Sequence, residues 1–150
     1  MKGYVVIATK DEINLIDDRY RNFPIIITGV GGTNVVRALN DIPRDTMIVN
    51  IGYAGGLNLK VGEVCQIGCC STFHPNVVFD EKVFTLKYGD MMCYTSGDFV
   101  LREQVIDQTE RCVFDMELAY ILAMGFENVV SFKKVSDNLN LKQYEKTVNK

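Results

Sequence analysis

The chain has one histidine, His74, and no C-x-x-C pair among its five cysteines, Cys65, Cys69, Cys70, Cys93 and Cys112. A zinc site needs about four convergent ligands, so no metal centre is expected. The cysteine number is odd, and Cys69 and Cys70 would point to opposite faces of a strand. The five read as small buried hydrophobes in a reducing cytoplasm. The chain lacks an apolar run of the roughly 18–20 residues that span a bilayer, so no membrane partner is expected. It lacks a basic excess: the net charge of −3 gives no footprint for a nucleic-acid backbone. The opening "MKGYVVIATKDE" meets acids rather than a small-residue cleavage site, which argues against a signal peptide. Repeats, low-complexity tracts and linkers are missing too, and 150 residues suit one domain over 1–150. In "TGVGGTN" position 34 is Asn, which breaks the dinucleotide fingerprint G-x-G-x-x-G, and no cofactor is expected.

Hydrophobic residues supply 47% of the chain and charged residues 23%, as in ordinary globular proteins. Apolar runs predict strands over Tyr4–Ala8, Pro24–Thr28, Thr46–Ile51, Val61–Cys70, Met91–Tyr94, Arg111–Phe114 and Val129–Val135. The Pro24–Thr28 run leaves no room for alternation and is expected to be covered on both faces. Helices are predicted over Lys10–Tyr20, from "GVGGTN" through Leu39, over Phe99–Gln108 and over Met116–Gly125, where Gly125 can end the helix. Phe73–Tyr88 is mixed in pattern, and the polar tail from Asn138 is either a short helix or loose. Strands separated by helices indicate an α/β layer fold with a mainly parallel sheet. In such sheets ligands sit beyond the carboxyl ends of the strands.

Acids recur at those ends. Glu12, Glu117 and Asp137 each follow a predicted strand, so all three can share one rim. Every motif has a bland account beside the functional one. "TGVGGTN" is a plain strand-to-helix turn or a loop whose free N–H groups touch a ligand. "NIGYAGGLN", with Ala54 and Gly55, is a tight turn or a backbone floor under a flat ligand. In "TSGDF", Asp98 is a helix cap, or Phe99 and Val100 flank a planar base. In "FDMELAYILAMG", Asp115 can cap a helix, and Glu117 is a helix-start residue or an acceptor for sugar hydroxyls. Ser136–Asp137 taken alone is an ordinary strand exit, and what weighs against that account is its conjunction with the other motifs and Glu12.

Taken together, "GVGGTNVVRAL", "VNIGYAGGLNLKVGEV", "SGDFV", "DMELAYILA" and "VSD" resemble, in order and style, the nucleoside phosphorylase/hydrolase superfamily, and within it the 5′-methylthioadenosine/S-adenosylhomocysteine nucleosidases. The resemblance implies a three-layer α/β/α sandwich around a mixed, mainly parallel central sheet. It implies that Asp137 protonates or hydrogen-bonds purine N7 and that Glu12 activates the attacking water. It further implies that Glu117 binds ribose hydroxyls, that Met116 packs on the sugar, and that Phe99 or Val100 meets the base. Ala54, Gly55 and Ser136 complete the implied substrate site. Lys133 stands where these nucleosidases carry an arginine near the water, and keeps its charge without the planar fork. Asn50 stands where the phosphorylases carry an arginine, which favours water over phosphate as nucleophile. The expected protein is a cytoplasmic purine nucleosidase acting on a small-molecule nucleoside, a homodimer because the family often completes its site across two chains. The alternatives are a nucleoside-binding protein of the same fold with weak or no catalysis, and a phosphorylase.

Overall fold

The computed structural model describes residues 2–75 and 82–148. Its spine is β3, Met47–Leu57, an apolar run long enough to serve two neighbourhoods. β3 pairs in parallel with β1 (Gly3–Ile7) over its first residues and with β8 (Asn128–Asp137) from Met47 to Gly55, and its last residues pair antiparallel with β7 (Cys112–Asp115). β7 runs parallel to β6 (Met91–Thr95), β6 parallel to β4 (Val64–Thr72), and β4 antiparallel to β8, so the pairings return to the spine. β2 (Ile25–Ile27) extends the sheet beyond β1, and β5 (Phe84–Thr85) pairs with β4. The result is a mixed α/β protein whose sheet is mostly parallel.

Alternation along β1 divides the core. Val6 points to one face, with Ile48, Val129 and the helices α1 (Gly32–Leu39) and α2 (Leu118–Ala123). Val5 and Ile7 point to the other, with Val49, Ile51 and Val130. Strands buried on both faces read as continuous apolar runs because both side-chain sets need partners. α1 buries Val35 and Leu39, and Gly32 lets it approach α2: a Cβ there would lie 2.3 Å from the Tyr120 ring. Gly125, at φ +89°, follows the end of α2 in the left-handed conformation that terminates helices.

Four predicted elements differ. The Lys10–Tyr20 helix is instead two 3-10 turns, Lys10–Leu15 and Asp18–Tyr20. The physical reason is Glu12, whose carboxylate folds back onto the backbone amides of Ala8 and Thr9. The Phe99–Gln108 helix shrinks to one 3-10 turn, Arg102–Val105, because Phe99 and Val100 are turned into a cavity. β2 is not covered on both faces: it is an edge strand with Ile25 44% and Ile27 49% exposed. The strand expected to stop at Ile51 continues to Leu57, so "GYAGG" is strand rather than turn. The tail forms a helix, α3 (Leu141–Val148). Most of the mixed segment 73–88 is described, but residues 76–81 lie outside the described set.

Candidate active site

A cavity of about 290 Å³ opens at the carboxyl ends of β1, β7 and β8. Glu12, Ala54, Gly55, Phe99, Val100, Met116, Glu117, Ser136 and Asp137 all line it. Tyr53, the largest side chain in the glycine-rich stretch, lines the wall without filling the space.

Each acid is placed by a different device. Glu12 is buried, its Oε1 accepting from Ala8 N at 2.8 Å and its Oε2 from Tyr53 N at 2.8 Å. Gly52 makes this possible, since a Cβ there would sit 2.6 Å from Glu12 Oε2. Asp137 is placed by a register shift. Ala54 pairs with Val135 but Gly55 with Asp137, so Ser136 is the extra residue of a bulge. The bulge brings Ser136 Oγ to donate to Asp137 Oδ1 at 2.6 Å, while Leu139 N donates to Oδ2 at 2.9 Å. Burial pushes the Asp137 carboxyl above its ordinary value, against the pull of those donors. Glu117 sits at the start of α2, and its Oε2 accepts from Gly31 N at 2.8 Å. Burial, and next the neighbouring Asp115 charge, push the Glu117 carboxyl up to about 7, against Lys133 and the Gly31 amide.

The tenth expected residue, Lys133, is a correction. It does not line the cavity: its Nζ is committed to Asp115 Oδ2 at 3.1 Å, with both side chains almost fully buried. Burial works against the lysine charge, but Asp115 outweighs it and holds the ammonium protonated beyond the ordinary range. Burial likewise works against the Asp115 charge, and Lys133, the Thr95 hydroxyl and the Leu118 amide together take its carboxyl below its usual value. Asn50 is also turned away from the cavity, accepting from Ser131 Oγ at 2.8 Å inside the core.

The sequence reading missed two further contributors. Asp115 read as a helix cap, and it does accept from Leu118 N at 2.8 Å, but it also lines the cavity. Tyr144 lies on α3, lines the cavity, and packs its ring on Phe99 at 5.5 Å. Its phenol is pushed up by burial and then by Glu12, Asp137 and Glu117, which places it among the acids. Neither a polar tail nor a lone tyrosine carries a local signal for that position. Phe114 lines the cavity and stacks behind it on Tyr94 at 5.6 Å between centroids.

No family model matches the chain, and no curated protein matches it. Solved structures do. Futalosine hydrolase of Helicobacter pylori superposes with a TM-score of 0.75 at 14% identity, over 99% of this chain and 91% of that one. The 5′-methylthioadenosine/S-adenosylhomocysteine nucleosidase of Streptococcus pneumoniae, solved with a transition-state inhibitor, gives 0.74 at 15% identity, over 99% and 93%. The nucleosidase of Neisseria meningitidis, in complex with methylthio-immucillin-A, gives 0.70 at 19% identity, over 99% and 92%. The chain therefore has the fold of the nucleoside-cleaving hydrolases. Within that fold it is similar to the methylthioadenosine/S-adenosylhomocysteine nucleosidases and to futalosine hydrolase.

Proposed function

We propose that the protein is a purine nucleosidase. It would cleave the N-glycosidic bond of an adenine nucleoside, such as methylthioadenosine or S-adenosylhomocysteine, with water as nucleophile. The observation that carries this reading is the convergence of Glu12, Glu117 and Asp137 on one cavity. Breaking an N-glycosidic bond develops positive charge on the ribose and negative charge on the base. Asp137, whose carboxyl burial pushes above its ordinary value, supplies a proton to purine N7 and makes the base a better leaving group. Ser136 holds that carboxyl in place. Glu12 orients the water and takes its proton. Glu117 accepts from the ribose hydroxyls, Met116 packs on the sugar, Phe99 and Val100 meet the base, and Ala54 and Gly55 form the floor. The carboxylates also favour the cationic ribose of the transition state.

Water is preferred to phosphate on charge. Glu12, Asp98, Asp115, Glu117 and Asp137 line the cavity, and among the described residues no lysine, arginine or histidine does. A phosphate anion would meet a field of its own sign. One observation favours a second reading, a nucleoside-binding protein with weak or no catalysis: the Lys133 charge is spent on Asp115. The three-layer α/β/α arrangement and a cytoplasmic setting belong to the same proposal. So does a homodimer, and the exposed isoleucines of β2 support it. No helix among the described residues is long and apolar enough to cross a membrane.

The test is free-base release from methylthioadenosine, S-adenosylhomocysteine, adenosine and inosine, with and without phosphate. Release without phosphate is the expected result. Release only with phosphate would identify a phosphorylase. No release, combined with thermal stabilisation by adenine, would identify the binding protein.

Ligand binding should also depend on pH. An ionised Glu117 accepts from two hydroxyls, whereas its protonated form is a poorer acceptor. Affinity for tubercidin, the 7-deaza analogue of adenosine with no N7 to protonate, should rise as pH climbs through about 7. It should fall again below that value, and Glu117→Gln should flatten the profile. Calorimetric titration across that range checks it, with 7-deazaadenine, which has no ribose, as the control that does not follow.

A further inference from the structure

Helix α2 has six residues, Leu118–Ala123, too few to hold a direction by their own hydrogen bonds. Its first turn nevertheless has every amide engaged. Asp115 Oδ2 accepts from Leu118 N at 2.8 Å and from Glu117 N at 3.3 Å. Thr95 Oγ1 accepts from Ala119 N at 3.0 Å and donates its own proton to Asp115 Oδ1 at 2.5 Å. Lys133 Nζ closes the set at 3.1 Å from Asp115 Oδ2, and Cys93 Sγ donates to Oδ1 at 3.3 Å. Thr95, Asp115 and Lys133 come from three strands, β6, β7 and β8, and each is at most 5% exposed. Three rigid strands thus grip the start of one short helix, and the residue at that start is Glu117. A plain helix cap needs only one acceptor. A buried ion pair is costly to desolvate, and it contributes mainly when it fixes geometry.

We propose that Thr95 and Asp115, anchored by Lys133, are positioning residues for Glu117, and that they set how strongly the cavity discriminates a nucleoside from its free base. The inference rests on the ribose-binding role given to Glu117 above. It deepens that reading, because the discrimination is assigned to residues that act by holding Glu117 in place. If the grip is loosened, α2 can turn, and the Glu117 carboxylate loses its aim at the ribose hydroxyls. The base subsite, built from Phe99, Val100 and the β3 floor, stays as it is.

The experiment compares binding of tubercidin and 7-deazaadenine, which differ by the ribose and cannot be hydrolysed through N7. Wild type should prefer tubercidin. Thr95→Val keeps the shape and both buried charges but removes the hydroxyl, and it should cut that preference about tenfold, the value of one well-placed hydrogen bond to a charged group. Its affinity for 7-deazaadenine should stay within about twofold, the scatter expected of an untouched subsite. Thr95→Ser should restore the preference. In a Glu117→Gln background, Thr95→Val should have no further effect, because the two act in series. A double variant, Asp115→Asn with Lys133→Met, removes the pair without stranding a buried charge, and it should lose preference as Thr95→Val does. A Thr95→Val protein that binds 7-deazaadenine normally and keeps the full wild-type preference would overturn the inference. A wild type with no preference for tubercidin would overturn the ribose role of Glu117 instead, and the inference with it.

Discussion

Asp137→Asn is expected to lower the rate of base release by a factor of about 10²–10⁴, the range of a single general acid, and to leave the fold intact. The aspartate is fully buried, and its surroundings explain both halves of that result. Ser136 Oγ, Leu139 N and Asn140 N all point at its oxygens, so the side chain is oriented whether or not it carries charge. Asparagine has the same shape and keeps an acceptor for the amide of Leu139. It has no proton to give a purine nitrogen at neutral pH. The glycine opposite matters as well. A Cβ at Gly55 would lie 3.2 Å from Asp137 Oδ2 and 2.6 Å from Leu139 Cδ2, so the acid depends on a bare backbone to reach the cavity. Circular dichroism and thermal melts establish the intact fold, and a base-release assay gives the rate. A variant that kept most of its activity would remove Asp137 from the chemistry.

Glu12→Gln is expected to have an effect of similar size, about 10²–10⁴ on the same assay, because under the proposed mechanism the water would lose its base. Here the structural cost is larger. Both Glu12 oxygens accept backbone N–H groups, from Ala8 and Thr9 on one side and Tyr53 on the other. A glutamine must turn its own N–H₂ toward one of those donors. That mismatch costs about 1–3 kcal/mol and should show as a lower melting temperature. The two variants therefore separate in a single pair of measurements. Asp137→Asn should lose activity with little loss of stability, and Glu12→Gln should lose both.

The legible parts of this protein were those where one residue type has one physical reading. Continuous apolar runs became strands, those of β1 and β3 buried on both faces, and the acids after them lie at one rim because parallel strands present their ends together. Gly125 ended α2 as a left-handed glycine. Illegible were the places where a side chain has two uses. Asp115 is a helix cap and a cavity wall at once, and only coordinates show the second role. Lys133 has the same charge whether it faces a ligand or a buried carboxylate, and its partner lies on a different strand. The segments around Glu12 and Phe99 have helical spacing. Tertiary contacts won there, a carboxylate folding back on its own turn in one case and apolar side chains drawn into the cavity in the other. Tyr144 sits in a tail whose composition is that of a solvated segment, and its place over the cavity comes from the packing of α3 against β8 and Phe99.

A crystal structure of the protein soaked with adenine addresses the central claim directly. The base should lie in the cavity with N7 within hydrogen-bonding distance of Asp137 and its ring beside Phe99. Glu12 and Glu117 should be left facing the space where a ribose would attach. Adenine bound elsewhere, or a cavity that stays empty at saturating base, would contradict the account.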